Sequence, residues 1–135
     1  MPFVLDNSVV SGWLLENQAS DYTDAVAERL QEDRAIAPAL LRLEYVNVLR
    51  TACKRRRLIA QQAQEAIGYL ARLPIAIDRE APDPALLLSL ALRHDLSSYD
   101  AVYLELALRR QLPIATRDAA LAEAARAAGV GTFVP

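Results

Sequence analysis

Four acidic residues stand where an apolar core would not place a carboxylate. Asp6 closes the run Pro2-Phe3-Val4-Leu5, and Glu44 lies within Leu40-Leu41-Arg42-Leu43-Glu44-Tyr45-Val46. Asp100 opens Tyr99-Asp100-Ala101-Val102-Tyr103-Leu104, and Asp118 follows Pro113-Ile114-Ala115-Thr116-Arg117. An unpaired buried carboxylate costs several kcal/mol or takes up a proton. Acids so placed imply a shared neutralising partner, and a hard divalent cation is the simplest one. With His94 and Cys53 the only histidine and cysteine, no zinc site of usual composition can be assembled. Oxygen-only ligands suit Mg²⁺ or Mn²⁺.

Each acid also has a purely structural alternative. Asp6 and Asp118 could cap the helices that follow them. Asp100 could complete a capping box with Ser97 and favour the helix dipole. Glu44 has no cap to make, but it and Asn47, three residues on, could form a solvated helix face. His94 reads as a helix-end residue beside Arg93.

Other chemistries drop out by inspection. The chain has no Gly-rich phosphate loop, no Gly-x-Ser-x-Gly elbow and no histidine to serve a serine nucleophile. One histidine also forbids a ribonuclease that cyclises through the 2′-hydroxyl with a histidine pair. An Asp-x-Asp phosphatase fails because Ser8 takes the second place. A response-regulator receiver wants an acidic pair after the first strand, where Asn7 follows Asp6, and a strand-end lysine, whereas Lys54 lies in a helical stretch.

A chain of 135 residues fits one domain with its own core, spanning 1–135. No apolar run reaches the roughly 18 residues of a membrane span, and the N-terminus lacks a basic region before its apolar stretch. A cytoplasmic protein is expected, and a single cysteine fits a reducing compartment. The net charge of −2 gives no global pull toward nucleic acid, so phosphate binding would rest on local patches. Of 15 basic residues only Lys54 is lysine. Lys54-Arg55-Arg56-Arg57 is the densest basic run, and either grips phosphates or complements a helix C-terminus in solvent. Arg42 and Arg117, beside motif acids, are rival phosphate ligands.

The elements that must position the acids follow from patterning. Phe3-Val4-Leu5, Ala35-Ile36-Ala37, Ile75-Ala76-Ile77, Pro113–Thr116 and Thr132-Phe133-Val134 read as strands. Helices are expected over Val9–Leu15, Asp21–Gln31 after the cap Ser20, Pro38–Arg55 with Pro38 at its first position, and Ala60–Leu73. Further helices run over 84–93 behind the cap Asp83-Pro84, from Ser97 or Ser98 to Arg110, and over Ala119–Ala128, stopped by Gly129. This alternation implies an α/β fold, a parallel sheet with helices on both faces, whose sites collect beyond the carboxyl ends of its strands. Asp6 and Asp118 would share that edge. Trp13, Leu14 and Leu15 are either core or a partner surface.

Asp6-Asn7-Ser8, Leu43-Glu44-Tyr45-Val46-Asn47, Ser98-Tyr99-Asp100-Ala101-Val102-Tyr103-Leu104-Glu105-Leu106-Ala107 and Thr116-Arg117-Asp118 together resemble the PIN-domain ribonucleases, most closely the VapC-type toxins of bacterial toxin–antitoxin pairs. The resemblance spans the chain and rests on the order and spacing of four motifs. It implies a three-layer α/β/α fold with a central parallel sheet, and an Mg²⁺ or Mn²⁺ site held by Asp6, Glu44, Asp100 and Asp118. Ser8 and Thr116 match frequent hydroxyl positions, where they would orient an acid or hold a water, and Asn47 is a further supporting residue. It also implies an RNA substrate, a small VapB-type antitoxin and a homodimer. The rival expectations are a PIN-fold nuclease without an antitoxin and a PIN fold kept only as a binding module.

Overall fold

In the computed structural model, which describes residues 1–135, four short apolar runs pair as strands: β1 (Phe3–Leu5), β2 (Ala35–Pro38), β3 (Ile75–Asp78) and β4 (Ile114–Ala115). All pairings are parallel, in the order β3-β2-β1-β4. Eight-residue or longer helices fill the crossovers: α1 (Asn7–Leu14), α2 (Asp21–Arg29), α3 (Leu40–Lys54), α4 (Ala60–Ala71), α5 (Pro84–His94), α6 (Ser98–Arg110) and α7 (Ala119–Ala127). A one-turn 3₁₀ helix, Glu16–Gln18, joins α1 to α2. The expected α/β architecture, a parallel sheet between two helical layers, is the one observed. No helix is long and apolar enough to cross a membrane.

The period of two along β1 divides the core. Phe3 and Leu5 face one layer with Val9, Val10, Val26, Leu41 and Leu70, whereas Val4 faces the other with Tyr103, Leu104, Ile114 and Leu121. A strand covered on both sides must be apolar at every position, which explains the continuous run Phe3-Val4-Leu5. From β1 the chain steps outward to β2 and β3, then returns past β1 to β4. The direction of winding therefore reverses between β1 and β4, and a crevice opens beyond the carboxyl ends of that pair.

Two expectations change. Pro38 ends β2, level with Asp78 of β3, and α3 starts only at Leu40. Since Phe3 is opposite Ala35 and β1 ends at Leu5, Pro38 lies past the end of its other neighbour, where a missing N–H costs no ladder bond on that side. The last strand shrinks to one bridge, Ile114 with Thr132. Phe133 still anchors the segment: its ring stacks on Phe3 with centroids 4.0 Å apart, and its carbonyl accepts from the Tyr22 hydroxyl at 2.8 Å.

The caps behave as read. Ser20 closes a capping box with Thr23, and Asp83 caps α5 with Pro84 in its first turn. Helix α3 ends differently from a glycine-stopped helix. Arg57 N–H donates to Ala52 O and Arg56 N–H to Cys53 O, a Schellman turn whose left-handed position is filled by Arg56 at φ 59°. A residue with a Cβ there costs about 1 kcal/mol relative to glycine. On the opposite edge, Arg109 of α6 joins the buried Glu105 to Asp78 at the end of β3, with N···O distances of 2.8 and 2.7 Å.

Trp13 and Leu14 pack on the first core cluster, and the Trp13 indole N–H donates to Thr23 O at 2.7 Å. Both are half-buried against that cluster, and Leu15, the third residue of the run, lines a surface hollow. Helices α1 and α2 meet where Gly12 faces Thr23. A Cβ at Gly12 would lie 2.6 Å from the Thr23 side chain, which is fully buried and committed to the capping box. Gly12→Ala is therefore expected to destabilise the protein by about 1–3 kcal/mol through overpacking, measured by urea unfolding. An unchanged midpoint would show that the α1–α2 contact yields freely.

Candidate active site

Asp6 leaves β1 at the reversal point and is 5% exposed. It occupies the N-cap position of α1, yet its carboxylate makes no cap bond. Instead Oδ2 accepts both the Ser8 and the Thr116 hydroxyl, each at 2.7 Å. Those hydroxyls are themselves held: Arg117 N–H donates to Ser8 Oγ at 2.8 Å, and Asp118 N–H to Thr116 Oγ1 at 3.0 Å. Two chains of donors thus converge on one oxygen, each link polarising the next. Burial raises the Asp6 pKa, and the two hydroxyls oppose the rise.

Glu44 projects from α3 and is half-buried. The Tyr103 hydroxyl donates to its Oε1 at 2.6 Å, so its face is not merely solvated. Burial raises its pKa, against the Tyr103 bond, and the Asp6 and Asp100 carboxylates add to the rise. Tyr103 is itself held well above the usual phenol range, first by burial and then by its bond to Glu44, and so stays a donor.

Asp100 sits in the first turn of α6. Its N–H donates to Ser97 Oγ at 3.1 Å, giving the Ser97 half of the expected box. The carboxyl is pushed up to about 6, by burial first and then by Asp118 and Asp6, with the Ser97 hydroxyl opposing. Asp118 does cap α7, through Oδ1 accepting Leu121 N–H at 2.9 Å. Its structural alternative is real, and it nonetheless faces Asp100. Asn47 is exposed and makes no bond to the acids; it lines a neighbouring groove.

Asp6 and Asp100 act on Glu44, and Asp118 and Asp6 on Asp100, so the four carboxylates lie near enough for neighbours to repel, and none is salt-bridged to an arginine or lysine. Asn7 Oδ1, beside Asp6, is a further buried acceptor without a donor. No three His, Cys, Asp or Glu side chains close tightly enough to grip an ion unaided. The all-oxygen donor set is of the kind that suits Mg²⁺, which keeps several waters and takes only one or two carboxylates directly. The side chains fit a fully caged ion poorly.

Two residues important to this geometry hold roles that the sequence did not indicate. Tyr103 falls three residues after Asp100, so both share one face of α6. Arg117 looked free for phosphate, but its guanidinium donates to Ser8 O at 2.8 and 2.6 Å and to Gln18 O at 2.6 Å. It joins the loop after β4 to α1 and the 3₁₀ turn. Nothing in its neighbours' composition marks that role.

A parallel sheet reversing between β1 and β4, with acids gathered at the reversal, agrees with the family match: residues 3–127 fit the model described as PIN domain, and the chain belongs to that family. Among curated proteins it is similar to Ribonuclease VapC1 of Mycobacterium tuberculosis, strains CDC 1551 / Oshkosh and ATCC 25618 / H37Rv. The identity is 36% over 97 residues, covering 70% of this chain and 71% of that protein. The crystal structure of PAE2754 from Pyrobaculum aerophilum superposes with a TM-score of 0.67, covering 92% of this chain and 84% of that one. At 15% identity that likeness is one of fold.

The raised Asp100 pKa has a consequence for stability. Folded, the group titrates near 6; unfolded, near 3.8. The ionised folded form is penalised above the folded value, and the penalty is relieved as pH falls toward the unfolded one. Asp100→Asn in metal-free protein is expected to be more stable than wild type at about pH 7, by roughly 1 kcal/mol after solvent screening. The gap should close toward about pH 4. Paired urea titrations across that range would check it, and a gap that does not depend on pH would leave Asp100 as a helix residue only.

Proposed function

We propose that this chain is a metal-dependent endoribonuclease that acts in the cytoplasm as the toxin of a toxin–antitoxin pair. The observation that carries the proposal is the set of mutually repelling carboxylates, Asp6, Glu44, Asp100 and Asp118, without a basic partner at the sheet's reversal point. The likeness to a protein named Ribonuclease VapC1 supplies the substrate class. Asp6, Glu44 and Asp100 are assigned as the principal ligands of Mg²⁺ or Mn²⁺, and Asp118 as a ligand or a group that steers water. When bound, such an ion lowers the pKa of a water, polarises the phosphoryl oxygen and stabilises the leaving 3′-oxygen. Hydrolysis of that kind leaves a 5′-phosphate and a 3′-hydroxyl.

The chain's own residues supply position. Ser8 and Thr116 fix Asp6 through Oδ2. Tyr103 fixes Glu44 by one oxygen in the same way, and Asp118 is fixed as the cap of α7. Pre-set carboxylates lose little freedom when charge is bound, which is how rigid sites lower a barrier. The reading extends to a small VapB-type antitoxin and a homodimer as partners. Exposed apolar side chains on α3 and α5, among them Leu43, Leu88 and Leu92, support protein partners of some kind.

Purified protein is expected to cleave single-stranded RNA in Mg²⁺ and to stop on addition of EDTA. Asp6→Asn and Asp100→Asn should each lower the rate by at least about 10²-fold, roughly 3 kcal/mol of transition-state stabilisation. Undiminished cleavage by either variant, prepared free of contaminating ribonuclease, would sink the assignment.

Expression without a partner is expected to arrest growth, and Asp100→Asn is expected to be harmless. Growth curves after induction distinguish the outcomes. Equal slowing by wild type and variant would separate any toxicity from this site and remove the support for an antitoxin.

A further inference from the structure

Of the four basic residues 54–57, two line a cavity and two do not. A groove of about 370 Å³ runs between α3 and the α1–3₁₀ segment, with Asn47, Thr51, Arg55 and Arg57 on one side and Asn17 and Gln18 on the other. Lys54 and Arg56 are outside it. Glu44, Asn47, Thr51 and Arg55 recur at helical spacing, so the groove continues the face that carries Glu44. From Glu44 to Arg55 is about 16 Å along the helix. A second hollow of about 490 Å³ adjoins at Asn17 and Arg57 and contributes Glu16, the one acid at this end. Neither Arg55 nor Arg57 forms a salt bridge.

The backbone explains how two non-adjacent arginines reach one cavity. The Schellman turn folds the chain back on α3, so that Arg57 N–H returns to Ala52 O. Arg56 takes the strained left-handed corner. Strain at an exposed turn persists where surrounding structure or function holds it. The opposite wall is held too, since Arg117 clamps Gln18 O at 2.6 Å.

We infer that this groove is the track for the RNA backbone on one side of the scissile phosphate, with Arg55 and Arg57 each engaging a phosphodiester. Unpaired guanidiniums in a polar trough are suited to phosphate oxygens, which they bind bidentately. The amides and hydroxyl between them and Glu44 offer uncharged hydrogen bonds, which a strand approaching an acidic centre requires. The inference deepens the ribonuclease reading and rests on it.

The test is fluorescence anisotropy of the full chain carrying Asp100→Asn, with a labelled single-stranded RNA of about 16 nucleotides, over a range of salt. Adding Arg55→Ala and Arg57→Ala together should weaken binding by about tenfold or more and flatten the slope of log affinity against log salt by about 1.4, two phosphates at about 0.7 each. Lys54→Ala and Arg56→Gly each remove one positive charge outside the groove, and glycine keeps the turn. Both should bind within about twofold of the parent. Losses in Lys54→Ala and Arg56→Gly equal to those of Arg55→Ala and Arg57→Ala made singly would mean that the run acts as diffuse charge, and an unchanged slope in the double variant would mean that phosphates lie elsewhere. Either overturns the track. Cleavage by the chain without Asp100→Asn, assayed in parallel, separates the two readings. Active enzyme with unaffected groove variants removes the track alone, whereas neither cleavage nor binding removes both.

Discussion

The structure is organised around one buried carboxylate. Asp6 is 5% exposed and has no cation to pair with, so its charge is met by oriented hydrogen-bond donors, the Ser8 and Thr116 hydroxyls foremost. Desolvation of such a group costs several kcal/mol unless donors meet it. The donors come from both sides of the crevice, Ser8 after β1 and Thr116 after β4. The parallel pairing of β1 with β4, the stacking of Phe133 on Phe3 and the Arg117 clamp all keep those two loops in register. Apolar layers supply the stability. The polar network spends part of it to hold negative charge at a chosen place.

The other acids are placed by different local rules, which gives the crevice its graded character. Asp118 is anchored by the helix that it caps, Glu44 by a tyrosine from another helix, and Asp100 by Ser97 alone, just before its own helix. Asp100 is accordingly the acid pushed up to about 6 by its neighbours. A carboxylate weakly held and strongly repelled gains most from an arriving cation. Tightly held Asp6 defines position.

Much of this was legible in the sequence because period and punctuation agreed. The strands were continuous apolar runs, Ser20, Asp83-Pro84 and Gly129 marked helix boundaries, and the acids stood out within apolar runs even where, as with Asp118, capping also explained them. Pro38 misled, since proline favours both a helix start and a strand end; only the sheet register, with β1 ending at Leu5, decides between them. The final strand was over-read because Thr132-Phe133-Val134 has strand composition but only Ile114 to pair with. The roles of Arg117 and Tyr103 were not legible. Both depend on contacts between segments far apart in the chain, and local pattern carries no record of those. Within the basic run, patterning likewise could not separate Arg55 and Arg57 from their neighbours, because a left-handed arginine at position 56 leaves no compositional trace.

The bond between Thr116 and Asp6 spans 110 residues, and β1, the first strand made, is the one that β4 must join. During synthesis β1, β2 and β3 can pair while the chain beyond them is still unmade. Asp6 then lacks one of its two hydroxyl partners, Asp118 is absent, and the crevice has a single wall. The gathering of the four acids is thus a property of the chain once its last strand and helix are made, so a growing polypeptide carries Asp6 for most of its synthesis without the loop that completes its hydrogen bonds.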